Sequence, residues 1–236
     1  MTKQNVRFRG PSLIFLAIAH ILVFVSGVIS AMALRHGALF VTPFAPAEQV
    51  RLFFAQNSTA VRVSNFFLFG SAVPFGIFAV TAVSRLHYYG VRAAGTSIAL
   101  FGGVSASIAL FLSGMAGWTL SVSDVSATAA LAKALFYLSF LSGGVFYAVG
   151  FGLMAAGISI TCYFTRLLPR WLVVFGLVIA VAGEFSSLSL IAYPANFFIP
   201  ITRYLGFVWM LWAAAALRTD RRLVRGDAGR DAAVAA

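Results

Sequence analysis

Six apolar stretches of membrane-spanning length follow one another along the chain, separated by short polar breaks. Nothing else in the sequence restricts the fold as tightly. A helix needs about 20 apolar residues to cross the hydrocarbon of a bilayer. Within that layer every backbone polar group must be satisfied inside the protein, so only helices and closed barrels span it. The stretches cover residues 12–34, 63–83, 96–118, 129–162, 171–192 and 199–217. A transmembrane barrel would instead show segments of about 10 residues with alternating polarity, and none of the six alternates. The expected fold is all-α: a polytopic transmembrane bundle of six helices within residues 1–225, followed by a disordered tail at 226–236. The fourth stretch is too long for one perpendicular span, so it is expected to tilt or to run on past the membrane.

Of the 236 residues, 61% are hydrophobic and 10% are charged, against about a quarter charged in an average soluble domain. No stretch is left for a separate globular domain. The first apolar run mimics a secretory signal, with a basic start (Lys3, Arg7, Arg9) and Ala31-Met32-Ala33 at its end. A signal core is about 7–15 residues long. This run is longer, which favours a retained helix.

A net charge of +11 invites a nucleic-acid reading, but its distribution argues for a membrane. With both termini cytoplasmic, the inner side holds Lys3, Arg7, Arg9, Arg85, Arg92, Arg166, Arg170, Arg218, Arg221, Arg222, Arg225 and Arg230. The outer side holds Arg35, Arg51, Arg62, Lys133 and Arg203. This bias is the positive-inside pattern. It predicts a multi-pass plasma-membrane protein whose basic tail meets anionic lipid headgroups. Membrane lipids are the expected partners, other membrane-protein subunits are a second class, and nucleic acid is not expected.

The longest outer loop, 35–62, contains Pro46-Ala47-Glu48, a helix start with an acid in its first turn. Val50, Phe53 and Phe54 then share one face. A short amphipathic interfacial helix is predicted there, serving as a lid on the bundle or, in the sharper reading, as a gate or partner contact. Glycine, alanine and serine crowd the third and fourth helices, with Gly152-x-x-x-Ala156 as a small-xxx-small pattern. Close helix packing is the ordinary use of such residues; a passage lined by them is the alternative. Pro74 should kink the second span, with Ser71 helping to satisfy the freed carbonyl. His87 is expected to be solvated in an inner loop. No internal repeat supports an inverted-repeat transporter plan.

Charges inside the hydrocarbon usually face inward and have partners. Glu184, Arg203, Lys133 and Asn65 are placed by chain position at similar depth in the outer half, where they form a candidate polar cluster, with Ser187 one turn from Glu184. An ion pair of Glu184 with Arg203 or Lys133 is the structural reading; a ligand or ion pocket and a proton relay through Glu184 are the functional ones. His20 lies about 12 Å deep in the first helix. A hydrogen bond across helices suits it better than haem ligation, which needs a second axial ligand at depth. Cys162 is the lone cysteine and is expected to be a small buried residue. No zinc motif or phosphate loop occurs, and Glu184 has no second carboxylate in the bundle for acid–base work. No catalytic residue, metal site or cofactor is therefore assigned.

The last third carries Leu167-Leu168-Pro169-Arg170-Trp171-Leu172 with Gly176, then Arg203-Tyr204-Leu205-Gly206-Phe207-Val208-Trp209. This pattern resembles a bacterial family of six-helix membrane proteins known only as a domain of unknown function. The resemblance implies the six-helix fold and the bacterial inner membrane, and it matches at Pro169, Arg170, Gly176, Arg203, Gly206 and Trp209. It implies no chemistry. The leading expectation is a small membrane protein without catalysis of its own, acting as an accessory or assembly subunit or binding a lipid-like molecule. A small-solute or ion transporter or channel subunit using Glu184 and Arg203 is the first alternative. A membrane redox enzyme is the second.

Overall fold

The computed structural model describes residues 10–35 and 40–217. Lys3, Arg7, Arg9, His36 and the tail from Arg218 onward lie outside the described residues. The helices, numbered in chain order, are α1 (Leu13–Leu34), α2 (Ala47–Gln56), α3 (Ser58–Tyr88), α4 (Ala94–Thr119), α5 (Ser123–Ala127), α6 (Ala129–Leu141), α7 (Tyr147–Thr165), α8 (Arg170–Phe185) and α9 (Phe198–Ala216). No strand occurs among the described residues. Six helical stretches are long and apolar enough to cross a membrane: Leu13–Leu34, Ser58–Tyr88, Ala94–Thr119, Ala129–Thr165, Arg170–Leu190 and Tyr193–Ala216.

An even number of spans brings both described chain ends to one end of the bundle, the terminal end, and leaves α2 and α5 at the other, the α2 end. At the terminal end buried Arg85 donates from Nη1 to the carbonyl of Leu217 at 2.6 Å, capping α9 from the last turn of α3. Its charge suits a helix C-terminus, where carbonyls lack intrahelical donors. His87, in the last turn of α3, is exposed as expected, and its Nε2 lies 3.1 Å from Thr96 Oγ1, which ties α3 to α4.

The fourth span sits at the centre. Its second half, α7, packs on α4 along one side and on α8 along the other. Small residues make both contacts possible. A Cβ on Gly102 would lie 2.6 Å from the Gly150 carbonyl oxygen and 2.5 Å from the Met154 amide. One on Gly183 would lie 2.6 Å from the Ala148 carbonyl oxygen. The helices thus meet backbone to backbone, the geometry that dispersion forces favour when lipid gives no hydrophobic drive. These glycines fill packing interfaces; they do not line a passage.

The span also departs from a plain helix. Between α6 and α7, Ser142–Phe146 form a π turn, which inserts an extra residue and changes the rotational phase of everything that follows. Its expected excess length is real, since the helical run continues to Thr165. On α3, Pro74 lies inside a continuous helix. The Ser71 hydroxyl donates to Leu68 O at 2.7 Å and not to the carbonyl the proline frees. Helix neighbours supply donors near the proline instead: His20 Nδ1 lies 2.9 Å from the Ser71 carbonyl oxygen, and Ser107 Oγ donates to the Ala72 carbonyl at 2.9 Å.

The amphipathic α2 forms as expected and closes the α2 end as a lid. Val50 and Phe54 are buried against Ala45, Val61, Leu120 and Ala132, with Phe53 half-buried beside them. On its exposed face Arg51 pairs with Glu48 at 2.5 Å. The guanidinium holds the Glu48 carboxyl below its ordinary range.

Candidate functional site

Two contacts fix the orientation of α9. Trp209 Nε1 donates to the Leu172 carbonyl at 3.1 Å, anchoring α9 to α8. Gly206 passes so close to Phe151 that an added Cβ would lie 2.7 Å from the ring. With that face turned inward, Arg203, three residues before Gly206, reaches toward α1 and the π turn. Its Nη2 donates to the Gly143 carbonyl, inside the π turn. Its guanidinium carbon lies 5.1 Å from the Phe24 ring centroid and 4.8 Å from that of Tyr147. Both are cation–π distances.

The same aromatic group continues to His20. The imidazole of His20 is fully buried, 5.0 Å from Phe75 and 5.4 Å from Phe207. Phe24 meets Phe207 at 5.3 Å, and Phe75 meets Tyr147 at 5.7 Å. Four parts of the chain therefore contribute to one interior site: α1, α3, the start of α7 and α9. Within it Arg203 Nε, Tyr147 Oη and His20 Nε2 are buried and have no hydrogen-bond partner among the described residues. Buried polar atoms nearly always find partners, so three orphans in one aromatic cage mark this place in the bundle.

The expected partners of Arg203 lie elsewhere. Among the described residues the only ion pair is Arg51 with Glu48, and Glu184 pairs with neither Arg203 nor Lys133. Glu184 is exposed on α8. The inward face of α8 at that level is Ala180 and Gly183, in backbone contact with Gly152 and Ala148, which leaves no room for a carboxylate. Ser187 donates to the Glu184 backbone carbonyl at 2.6 Å. Lys133, half-buried at the start of α6, points its ammonium at the Tyr137 ring from 5.8 Å. Asn65 donates to Val61 O at 2.8 Å and lines an apolar groove of about 370 Å3 with Phe66, Phe69, Met115 and Trp118. Of the four, Arg203 alone enters the interior site. His20, a secondary candidate by sequence, joins it through the interhelical hydrogen bond expected of it.

Phe24, Phe75, Tyr147 and Phe207 are the members that sequence reasoning misses. One signal was available: Tyr147 closely follows Ser142-Gly143-Gly144, a run suited to an irregular turn, and Phe24 stands one turn from His20. The site holds a permanently charged guanidinium with five donors, one of them engaged by a protein carbonyl. No cluster of three or more metal-binding side chains occurs among the described residues. Arginine cannot act as a base at ordinary pH, so the arrangement suits binding of an electron-rich group more than proton transfer. No protein-family model, no curated protein and no solved structure matches this chain.

Proposed function

We propose that this integral membrane protein binds a lipid-like amphiphile by its anionic head, without catalysis of its own, and serves as an accessory component of the membrane in which it lies. The observation that carries the reading is the cation at Arg203. It lies within the bundle, and the described residues give it no counter-ion. A charge at such depth is costly and functional by default. An anionic head would supply the missing charge and acceptors for Arg203 Nε and Tyr147 Oη, which have none. The exposed Tyr204, packed on the buried Phe207, offers apolar surface beside it for a hydrophobic tail. The bacterial inner membrane, with both termini cytoplasmic, is the setting that the charge distribution and the sequence resemblance favour.

Native mass spectrometry of the gently extracted protein tests the proposal. The wild type should carry a reproducible anionic amphiphile, Arg203→Lys should retain part of it, and Arg203→Gln should lose it. Glutamine can still donate to the Gly143 carbonyl, so this variant separates charge from turn stability. A ligand retained equally by Arg203→Gln, or a bare wild type, would remove the proposal.

A further inference from the structure

A second cationic site lies at the opposite end of the bundle, where α7 turns into α8. The turn is built around Arg166, which adopts a left-handed backbone with φ 54°, the only non-glycine residue among those described with positive φ. The Leu167 amide reaches back to the Cys162 carbonyl at 3.2 Å, closing a Schellman-like end in which glycine is the usual occupant. Beside this turn is a recess of about 510 Å3 whose walls include Tyr163, Phe164, Arg166, Pro169, Arg170 and Val173. Arg166 and Arg170 are both exposed. Neither guanidinium is engaged by a hydrogen bond or an ion pair among the described residues, where the one ion pair lies on α2.

Three observations identify the occupant. First, charge: the described carboxylates, Glu48, Asp124 and Glu184, all belong to the α2 end, so no anion of the described protein competes for the two arginines. Second, level: the recess lies at the junction of two apolar spans, Ala129–Thr165 and Arg170–Leu190, where a bilayer's headgroups meet the hydrocarbon. Third, surroundings: Phe164 is 78% exposed, Tyr163 55% and Trp171 54%, the aromatic surface typical of a membrane interface. We propose that this recess binds the phosphate of an anionic phospholipid, with Arg166 and Arg170 on the phosphate oxygens and the acyl chains running along Phe164 and Tyr163. Basic pockets between transmembrane helices recognise lipid headgroups by this chemistry. The proposal does not depend on the Arg203 site.

The left-handed turn supplies a clean variant. Arg166→Gly removes the charge and places at φ 54° the residue that adopts it most readily, so the fold should be kept or strengthened. The full-length protein in phosphatidylcholine micelles is titrated with phosphatidylglycerol, and bound lipid is counted by native mass spectrometry alongside the thermal midpoint. Wild type should bind phosphatidylglycerol and be stabilised by it, more weakly as salt rises. Arg166→Gly and Arg170→Gln should each weaken binding about fivefold, in keeping with the worth of one basic residue at a membrane surface. Their midpoints in phosphatidylcholine alone should stay at or above wild type for Arg166→Gly and close to it for Arg170→Gln. A double variant that binds phosphatidylglycerol like wild type would overturn the proposal. Stabilisation by millimolar inorganic phosphate, with none from phosphatidylglycerol, would overturn the lipid assignment in favour of a free anion.

Discussion

Arg203 and Glu184 are opposite charges near the same end of the bundle, and the fold keeps them apart. Arg203 spends its contacts on a carbonyl and two aromatic rings, while Glu184 faces outward. Glu184 lies within the span Arg170–Leu190 and turns outward, so removing its charge breaks no ion pair and lifts the cost of a charge beside lipid. Glu184→Gln is therefore expected to leave the unfolding free energy unchanged or to raise it, by up to about 2.5 kcal/mol. Reversible unfolding in mixed micelles measures it, and a clear loss of stability would restore the ion-pair reading. Glu48 behaves differently, because Arg51 holds its carboxyl below the ordinary range. A depressed carboxylate stabilises the fold in full above its unfolded value, and that contribution disappears as pH falls through the lowered value. Acidification should thus loosen α2, read as lower amide protection factors (exchange corrected for the intrinsic rate at each pH) in Val50–Phe54, with a small amplitude because the pair is exposed and salt-screened. Glu48→Gln should remove that pH dependence; an unchanged profile would show that the pair does not hold the lid.

At the scale of elements, glycine positions divide by what stands opposite them. Gly102 faces the backbone of α7, which cannot move aside without parting two helices. Gly70 faces only Val23 Cγ1, at an ordinary 3.6 Å. Gly102→Ala should destabilise the bundle by about 1–3 kcal/mol, the common cost of overpacking, whereas Gly70→Ala should be neutral or slightly stabilising because alanine favours helix. Equal midpoints for the two variants would contradict the packing described. These elements also mark how far the sequence could be read. The spans were legible because apolar length is a local property, and α2 was legible because Pro46 and the Val50–Phe53–Phe54 face announce it. The π turn was not, since Ser142-Gly143-Gly144 reads as ordinary small-residue packing and its carbonyl partner, Arg203, lies far along the chain. The outward turn of Glu184 was not legible either. A helix that is apolar all round carries no polar face to fix its rotation, so only the packing of Gly183 on α7 decides which way its neighbour points.

For the whole molecule, the two ends differ in electrostatic character. Among the described residues the terminal end carries Arg85, Arg92, Arg166 and Arg170 and no carboxylate, while the α2 end mixes its cations with Glu48, Asp124 and Glu184. Cytoplasmic loops are the ones enriched in Lys and Arg, so the terminal end should face the cytoplasm and the α2 lid the outside. The chain offers a simple way to check this, because Cys162 is fully buried and should give little background with thiol reagents. Ala127 and Ala93 are both exposed, in α5 and just before α4 respectively. With the protein expressed in a bacterial inner membrane, Ala127→Cys should react with a membrane-impermeant maleimide in intact spheroplasts, and Ala93→Cys only after the membrane is opened. The reverse pattern would put the Arg166–Arg170 recess in the outer leaflet and leave the positive-inside argument without support. The predicted pattern would put that recess against the cytoplasmic leaflet, where anionic headgroups give the two arginines their strongest attraction.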